Sequence, residues 1–231
     1  MENLQTDREL TAEIKLYYDL LLPENVKTPA PLLIAVHGYG GNKRQMMREA
    51  RSLAPENFVV AALQGFHQHW RESTAEKGMM PKVGFAWLTN YKSEESVAVH
   101  HRVVSDLIQH LIAEGVADQR QIFLLGFSQS CALNFRFAFS NPELLSGVVG
   151  ISGGIPGDWE TSELYQKLNA PVLYVYGDAD EFYPLEKFDE NANKLKLRAA
   201  NLESKGYQAK HEITLEMREN VKTWLRNNLG A

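Results

Sequence analysis

The sequence predicts an α/β fold, a doubly wound and mostly parallel sheet with helices on both faces. Two observations lead to this prediction. Short and almost purely apolar runs recur at positions 32–36, 58–63, 122–125, 148–151 and 172–176, as is typical of strands covered on both faces. Between most of them lie stretches with apolar residues three or four positions apart, and this strand–helix alternation favours a parallel sheet.

The remaining elements follow from periodicity and from capping residues. Apolar residues at every second position from 14 to 22 predict a half-buried strand. The segment 64–92 is the longest loop-like region. Helices are predicted over about 42–54, 93–114, 128–139, 184–204 and 215–228, with Ser93 and Thr214 as N-caps and Gly115 as a stop signal.

Length and composition bound the organisation of the chain. Its 231 residues contain no Gly/Ser linker, charge block or repeat, so we expect one domain over 1–231, with 1–12 as a loosely ordered N-terminal segment. A net charge of −5 carries no electrostatic signature of nucleic-acid or membrane-surface binding. Cys131 has no second cysteine to pair with, and the sequence has neither a signal-peptide pattern nor an apolar run of ~20 residues. These features predict a cytoplasmic location and no stable membrane insertion.

Two Gly-x-Ser segments compete for the role of a nucleophile elbow, the sharp strand-to-helix turn that presents a catalytic serine. Ser128 follows an apolar strand and precedes a helical pattern, whereas Ser152 runs into Gly153-Gly154-Ile155-Pro156, which cannot open a helix. Ser128 is therefore the candidate nucleophile, and a purely structural turn is the alternative. Ser130 stands where the elbow motif usually has glycine, which predicts slightly looser packing of the turn.

Chain order selects the candidate base and acid, since hydrolases on this architecture place the acid and then the histidine after the serine. His211 is the only histidine beyond Ser128, and a surface histidine at a helix entry is the alternative. Asp180 lies past the turn after the last apolar run and is the favoured acid, because Asp178 is better placed to accept amides of that turn. Asp158 is a more distant third candidate.

Backbone amides at two turns predict an oxyanion hole. The segment His37-Gly38-Tyr39-Gly40-Gly41 ends an apolar strand with a glycine-rich turn, and a plain strand-to-helix turn is the alternative. The expected donors are the amides of Tyr39 and of Gln129, which follows the candidate nucleophile. His37 precedes Ser128 in the chain and is expected to hold its own loop together.

These segments resemble the α/β-hydrolase superfamily and, within it, the phospholipase/carboxylesterase group that includes acyl-protein thioesterases. The resemblance runs from about residue 14 to the end and is carried by 37–41, Gly126-Phe127-Ser128-Gln129, Gly177-Asp178-Ala179-Asp180 and 211–213. It implies a Ser128–Asp180–His211 triad that acts on small carboxylic esters or thioesters, without a cofactor or a large lid domain. The sequence departs from the family pattern at Ser130, at Lys210 and in the short stretch 206–211, which would abbreviate the strand that delivers the histidine.

Aromatic residues indicate where a substrate would bind. Phe66, Trp70 and Trp87 lie in the segment 64–92, which leaves the sheet edge where ligands of this architecture bind. Phe182 follows the candidate acid and is expected to contribute as well. Packing beneath a long loop is the alternative for these aromatic side chains.

The other histidines carry weaker signals. His67 and His69 have the spacing of metal ligands but no third ligand nearby, so no metal site is expected. His100, His101 and His110 share no face of their predicted helix, and we expect ordinary surface or interface residues.

The sequence therefore favours a serine hydrolase that cleaves a small-molecule carboxylic ester through an acyl-enzyme. An acyl thioesterase or acyltransferase with the same triad is one alternative. A non-catalytic ligand-binding member of the fold is another. The sequence predicts no oligomeric state.

Overall fold

The computed structural model describes residues 3–71 and 82–230. Within these ranges the chain alternates between strands and helices. The strands are β1 (Tyr18–Leu21), β2 (Ala30–Val36), β3 (Val59–Leu63), β4 (His67–Trp70), β5 (Val83–Ala86), β6 (Ala117–Phe127), β7 (Gly147–Ile151), β8 (Val172–Gly177) and β9 (Leu202–Tyr207). The helices are α1 (Lys43–Leu53), α2 (Ser93–Ala113), α3 (Gln129–Ser140), α4 (Leu185–Lys196) and α5 (Leu215–Asn227).

One sheet contains most of the described strands, in the order β1-β3-β2-β6-β7-β8-β9. β1 runs antiparallel to β3, and every other neighbouring pair of this sheet is parallel. β3 and β7 are buried along their whole length, because helices cover both faces. The prediction of a doubly wound, mostly parallel sheet is confirmed.

Alternate residues of the central strands supply two separate cores. In β2, Leu33 and Ala35 pack with the apolar faces of α1 and α5, whereas Leu32, Ile34 and Val36 pack with those of α2, α3 and α4. The apolar runs of the sequence are continuous because both sides of each strand are buried. The carboxyl ends of the parallel strands then share one edge, at which ligands of open α/β sheets bind.

The helix starts test the predicted caps. Thr214 is confirmed, since its Oγ1 accepts the amide of Met217 at 3.2 Å. The prediction of Ser93 as an N-cap is wrong, because Ser93 is already the first residue of α2. The N-cap position is occupied by Lys92, which has φ +46° and forms no side-chain cap hydrogen bond. Acidic residues in the first turn of α2 complement the helix dipole instead. No helix of the described residues is long and apolar enough to cross a membrane.

Three predicted elements differ from the structure. The strand expected over 14–22 is limited to β1, because only these four residues pair with β3, and Ile14 is 67% exposed. The helix expected over 184–204 ends at Lys196, since β9 follows it as an edge strand whose exposed polar residues conceal its pattern. The loop expected over 64–92 contains the antiparallel hairpin of β4 and β5, while its residues 72–81 lie outside the described part.

The N-terminal segment is described from residue 3. Residues 3–17 contain no helix or strand, and nearly all of them are exposed. The loose ordering expected for 1–12 stays a prediction.

Candidate active site

Ser128 occupies the one-residue turn between β6 and α3. Its backbone has φ +59° and ψ −121°, a conformation that non-glycine residues rarely adopt and that costs about 1–3 kcal/mol. The Ser128 amide donates to the Ile151 carbonyl at the end of β7, at 2.9 Å, and ties the turn to the neighbouring strand. This strained strand–turn–helix arrangement is that of a nucleophile elbow, with the serine beside the N-terminus of α3.

Two glycines leave room for this turn. A Cβ at Gly38 would lie 2.9 Å from the Cβ of Ser128. A Cβ at Gly153 would lie 2.3 Å from the Ser128 carbonyl oxygen and 2.5 Å from Cys131 Sγ. Burial raises the pKa of the Cys131 thiol to about 12, so it stays protonated and fills space behind the turn. Any side chain at either glycine would displace the elbow.

Ser130 tightens the elbow, contrary to the looser packing that the sequence suggested. The residue is fully buried, and its hydroxyl donates to the Val36 carbonyl at 2.7 Å. The same oxygen accepts the amide of Phe127 at 3.0 Å. The hydroxyl therefore joins the end of β2 to the end of β6, the two strands that lead into the glycine-rich loop and the elbow. A glycine could not make this connection.

Asp180 lies in the turn after β8 and contacts His211 directly. Its Oδ2 is 2.8 Å from His211 Nδ1, and its side chain has no exposed surface. Its Oδ1 accepts the amides of Phe182 at 2.9 Å and of Tyr183 at 3.0 Å. Three hydrogen bonds thus orient the carboxylate and compensate the loss of water around it.

The two alternative acids have other partners. Asp178 accepts the amide of Ala209, a residue beyond β9, at 3.3 Å instead of an amide of its own turn as expected. Asp158 pairs with Arg136 at 2.5 Å and accepts the hydroxyl of Tyr165 at 2.7 Å. Both carboxylates are therefore engaged away from the His211 imidazole.

His211 lies between β9 and α5, and its ring contacts aromatic neighbours. The centroid distances are 4.9 Å to Phe127, 4.9 Å to Phe182 and 5.9 Å to Tyr183. The expectation of an abbreviated delivering strand is wrong: β9 pairs with β8 at all six of its positions. The stretch between β9 and the histidine is short because β9 already ends at the sheet edge.

The candidate nucleophile lies among the same neighbours as His211. Ser128 follows Phe127, whose ring packs against the imidazole. Among the hydrogen bonds of residues 3–71 and 82–230, none joins the His211 imidazole to the Ser128 hydroxyl. The structure thus pairs the candidate acid with the candidate base and places the candidate nucleophile next to a residue that contacts the base.

The glycine-rich loop after β2 is held by His37. Its Nε2 accepts the amide of Gly65 at 2.9 Å, and its Nδ1–H donates to the Gly38 carbonyl at 2.7 Å. Burial lowers the pKa of His37 to about 4, so the ring is neutral and can both donate and accept. This matches the loop-holding role expected for His37.

The two candidate oxyanion donors lie at the ends of β2 and β6. Within the described chain, the Tyr39 amide forms no hydrogen bond with another backbone group, whereas Gly40 donates to Phe85 at 2.8 Å. Gln129 is the first residue of α3, where helical amides lack internal partners. Its side chain accepts the amide of Trp87 at 2.9 Å, which holds the segment after β5 against the elbow.

The four aromatic residues expected to bind substrate lie in different environments. Phe182 is 67% exposed and edge-on to His211, so its ring borders the candidate site. Trp70 is exposed on β4, and Phe66 is half-buried against Trp87. The expectation that Trp87 contacts substrate is wrong, because Trp87 is fully buried in the core and has no surface with which to contact a ligand.

The expectation that the other histidines are surface or interface residues is wrong for His100. His100 is fully buried instead of lying on the surface, and its Nε2–H donates to Asn134 Oδ1 at 3.1 Å. His67 hydrogen-bonds with Ser96, and His69 stacks on Tyr39. The described residues contain no group of three or more side chains suited to hold a metal ion.

Tyr183 is the site residue that sequence reasoning missed. It follows Asp180 by three positions, its amide donates to Asp180 Oδ1 at 3.0 Å, and its ring lies 5.9 Å from the His211 ring. The Asx-type turn at Asp180 was the available signal, because such a turn fixes the residues that follow the acid.

Comparisons of the sequence with known proteins identify its family. The family model for Phospholipase/Carboxylesterase matches residues 23–229. Putative esterase NocK from Nocardia uniformis subsp. tsuyamanensis is 26% identical over 162 residues, 69% of this chain and 42% of that protein. Acyl-protein thioesterase 1 from Eremothecium gossypii is 34% identical over 107 residues, 43% of this chain and 45% of that protein. The chain spans about half of the length of the curated relatives it matches, or less.

Solved structures share the fold at low sequence identity. Arabidopsis thaliana SOBER1 has a TM-score of 0.67 at 20% identity, over 86% of this chain and 99% of that chain. The Bacillus cereus carboxylesterase has a TM-score of 0.70 at 18% identity, over 92% of this chain and 94% of that chain. The fold, the elbow and the match over residues 23–229 agree, and the chain belongs to the phospholipase/carboxylesterase family of α/β hydrolases.

Proposed function

We propose that this chain hydrolyses small carboxylic esters through an acyl-enzyme on Ser128. The observation that carries the proposal is the 2.8 Å hydrogen bond between Asp180 and His211, at the sheet edge where the strained Ser128 turn stands. A buried carboxylate on Nδ1 fixes the imidazole tautomer and leaves the Nε2 lone pair available as a base. It also stabilises the imidazolium that forms when the base accepts a proton.

Each step of the proposed reaction uses one of these groups. His211 Nε2 accepts the proton of Ser128 as Oγ attacks the ester carbonyl carbon, and the amides of Tyr39 and Gln129 donate to the oxyanion. The imidazolium then protonates the departing alcohol. A water molecule repeats the sequence, so that the carboxylic acid leaves and the serine hydroxyl is restored.

The serine is the movable partner in this proposal. The Asp180 side chain is fully buried and holds His211, whereas the Ser128 hydroxyl is attached through a single rotatable Cα–Cβ bond. Catalytic hydrogen bonds are often long or misaligned before substrate binds, and they tighten in the complex.

A cleft of about 380 Å³ lies beside the glycine-rich loop. It is lined by apolar side chains such as Phe127 and Ile213 together with the charged side chains of Glu49 and Arg218. The candidate triad residues are not part of its lining, so the cleft is a neighbour of the proposed site. Phe182 adds an exposed ring next to the base, while contacts of Phe66 and Trp70 with substrate stay predictions.

Labelling with a fluorophosphonate probe tests the proposal directly. The wild-type chain should gain one adduct, mapped to Ser128 by peptide mass spectrometry. Ser128→Ala should hydrolyse p-nitrophenyl butyrate about 10⁴-fold more slowly or worse, because triad members act as a unit. Ser152→Ala is the matched control, since this second Gly-x-Ser serine is fully buried, and it should retain wild-type activity and labelling.

Two results would overturn the proposal. One is a wild-type chain that stays unlabelled and inactive on all esters, which leaves the non-catalytic binding member of the fold as the better interpretation. The other is a Ser128→Ala variant that keeps most of the esterase activity.

An acyl thioesterase or acyltransferase would use the same residues, because these reactions differ only in leaving group or acceptor. The similarity to acyl-protein thioesterase 1 over 43% of this chain makes thioesters the first alternative substrates to compare. Measuring kcat/KM for an ester and a thioester of the same acyl group, with and without an added alcohol acceptor, separates the three activities.

A further inference from the structure

We propose that the side-chain amide of Gln129 is a positioning group, which sets the distance between the two candidate oxyanion donors by fastening residues 87–88 to the elbow. The inference rests on the proposed acyl-enzyme mechanism, in which the backbone amides of Tyr39 and Gln129 bind the oxyanion. The Gln129 side chain then acts on the reaction through the positions of these two amides.

The two donors belong to separate parts of the fold. Tyr39 lies in the glycine-rich loop after β2, and Gln129 is the first residue of α3. Both amides have to lie about 2.7–3.1 Å from the same oxygen, since donors stabilise an oxyanion at that distance. The pairing of β2 with β6 ends at Val36 and Gly126, so it does not extend to either donor. The position of the loop relative to the helix therefore depends on contacts beyond the two strands.

The glycine-rich loop is fastened to the β4–β5 hairpin. The Gly40 amide donates to the Phe85 carbonyl at 2.8 Å, and the Phe85 amide donates to the Gly41 carbonyl at 3.1 Å. These two hydrogen bonds form an antiparallel bridge between the loop and β5. The ring of Tyr39 also stacks on that of His69 in β4, with the centroids 4.6 Å apart. The position of the loop therefore follows that of the hairpin.

Gln129 fastens the continuation of the same strand to the elbow. Its Oε1 accepts the amide of Trp87 at 2.9 Å, and its Nε2 donates to the carbonyl of Leu88 at 3.0 Å. Trp87 is fully buried, and its ring lies 5.4 Å from that of His37, the residue that holds the glycine-rich loop. Phe85 and Trp87 are two positions apart. A short and anchored stretch of backbone thus connects the two donors.

A carboxamide suits this role because it carries both a donor and an acceptor. Gln129 can therefore engage one N–H and one C=O group of adjacent residues. Its own backbone amide takes no part in this contact, so a change of side chain removes the fastening and retains both oxyanion donors. Groups of a catalytic site have to be held within about 0.5 Å of their productive positions, so a loosened segment lowers the rate even though both donors remain.

Loss of the fastening should slow both half-reactions by a similar factor. Each of them passes through a tetrahedral oxyanion that both amides bind, whereas the neutral ester carbonyl gains less from the same donors. Removal of a whole oxyanion donor costs about 10²–10³ in kcat, and a displaced donor retains part of its effect. We expect Gln129→Met, which keeps the length of the side chain, to lower kcat for p-nitrophenyl butyrate by about 30-fold and to keep KM within about threefold of wild type.

Inhibition by a trifluoromethyl ketone with a propyl chain supplies a readout that a purely structural role would not change. In its adduct the Ser128 Oγ–C bond forms, the serine proton passes to His211 Nε2, and the carbonyl π pair becomes the oxyanion. No leaving group departs, so the adduct resembles the tetrahedral intermediate. Its inhibition constant should rise in Gln129→Met by the same factor by which kcat/KM falls.

Gln121→Met is the matched control. Gln121 lies in β6, and its side-chain amide donates to Asp118 at 3.4 Å, outside the contacts of the elbow. This variant should keep kcat, KM and the inhibition constant of the wild type. Thermal unfolding verifies that the variants are folded. If Gln129→Met does not fold, Gln129→Glu, which keeps an acceptor for the Trp87 amide and loses the donor, is measured by the same criteria.

The outcomes distinguish this inference from the proposed function. A kcat/KM within about threefold of wild type, or an unchanged inhibition constant while kcat/KM falls, would overturn the positioning role of Gln129 and leave the acyl-enzyme mechanism standing. A wild-type chain that forms no fluorophosphonate adduct on Ser128 would overturn the proposed function, and the inference with it.

Discussion

Replacing Ser130 with alanine should destabilise the folded chain by about 2–3 kcal/mol. The hydroxyl of Ser130 connects two strand ends, since it donates to the Val36 carbonyl at 2.7 Å and accepts the Phe127 amide at 3.0 Å. Alanine fits the same space, so the variant removes this connection without a steric clash. The perturbation therefore isolates the contribution of one buried hydroxyl to the elbow.

The magnitude follows from the groups that lose a partner. An unsatisfied buried amide costs about 1–3 kcal/mol, and the carbonyl, which has a second lone pair, lies near the lower end at about 1 kcal/mol. Alanine has a higher helix propensity than serine in the first turn of α3, which stabilises the variant by about 0.5 kcal/mol. The net loss is about 1.5–3.5 kcal/mol and centres on about 2–3 kcal/mol, a sizeable fraction of the stability of a typical domain.

Urea unfolding followed by circular dichroism measures this loss, and Ser146→Ala supplies the matched control. Ser146 also bridges two backbone groups, donating to the Arg120 carbonyl at 2.7 Å and accepting the Ile122 amide at 3.2 Å. The bond with the Arg120 carbonyl is exposed and the bond with the Ile122 amide is partly buried, so water can replace much of the bridge and we expect a loss below about 1 kcal/mol. Equal destabilisation by the two substitutions would refute the argument that Ser130 acts as a buried link.

Three further predictions concern the acid, the buried histidines and the elbow. Asp180→Asn should lower p-nitrophenyl ester turnover by about 10⁴, as expected for loss of the charge that orients the base; a loss below tenfold in steady-state kinetics would contradict this role. Stability should fall between pH 7 and pH 4, because burial lowers the pKa of His37 to about 4 and of His100 to about 3 from 6.5, so the unfolded chain binds protons that the folded chain does not. At pH 5 each histidine then lowers the free energy of unfolding by about 2 kcal/mol. A urea concentration at the unfolding midpoint that does not change over this pH range would contradict the account. Gly153→Ala places a Cβ 2.3 Å from the Ser128 carbonyl oxygen and should lower both melting temperature and activity sharply, whereas an unchanged melting curve would show that the elbow has room to move.

The sheet could be predicted because its central strands are buried on both faces. Burial on both sides requires apolar residues at consecutive positions, and the runs at 32–36, 148–151 and 172–176 coincide closely with β2, β7 and β8. β9 and the β4–β5 hairpin were missed for the complementary reason. Their exposed faces carry polar residues, and their pairing depends on partners that no local pattern names.

Burial of individual polar residues could not be predicted either. His100 can be buried because Asn134, on the neighbouring helix α3, accepts a hydrogen bond from its Nε2–H, and such pairing depends on how α2 and α3 pack. Trp87 is buried rather than exposed in a pocket because β5 returns the chain to the core just before it. The cytoplasmic location stays a prediction.

The composition of the candidate site follows from fold class and chain order together. In a parallel sheet the carboxyl ends of the strands share one edge, so residues that follow β6, β8 and β9 meet there whatever their spacing in the sequence. This explains why Asp180 and His211 could be paired without a structure. Fold class does not determine which side chains surround His211, because that depends on side-chain conformations in the turn after the acid, where Phe182 and Tyr183 lie. The proposed reaction type therefore depends on the architecture, while the surroundings of the proposed base depend on single contacts of this kind.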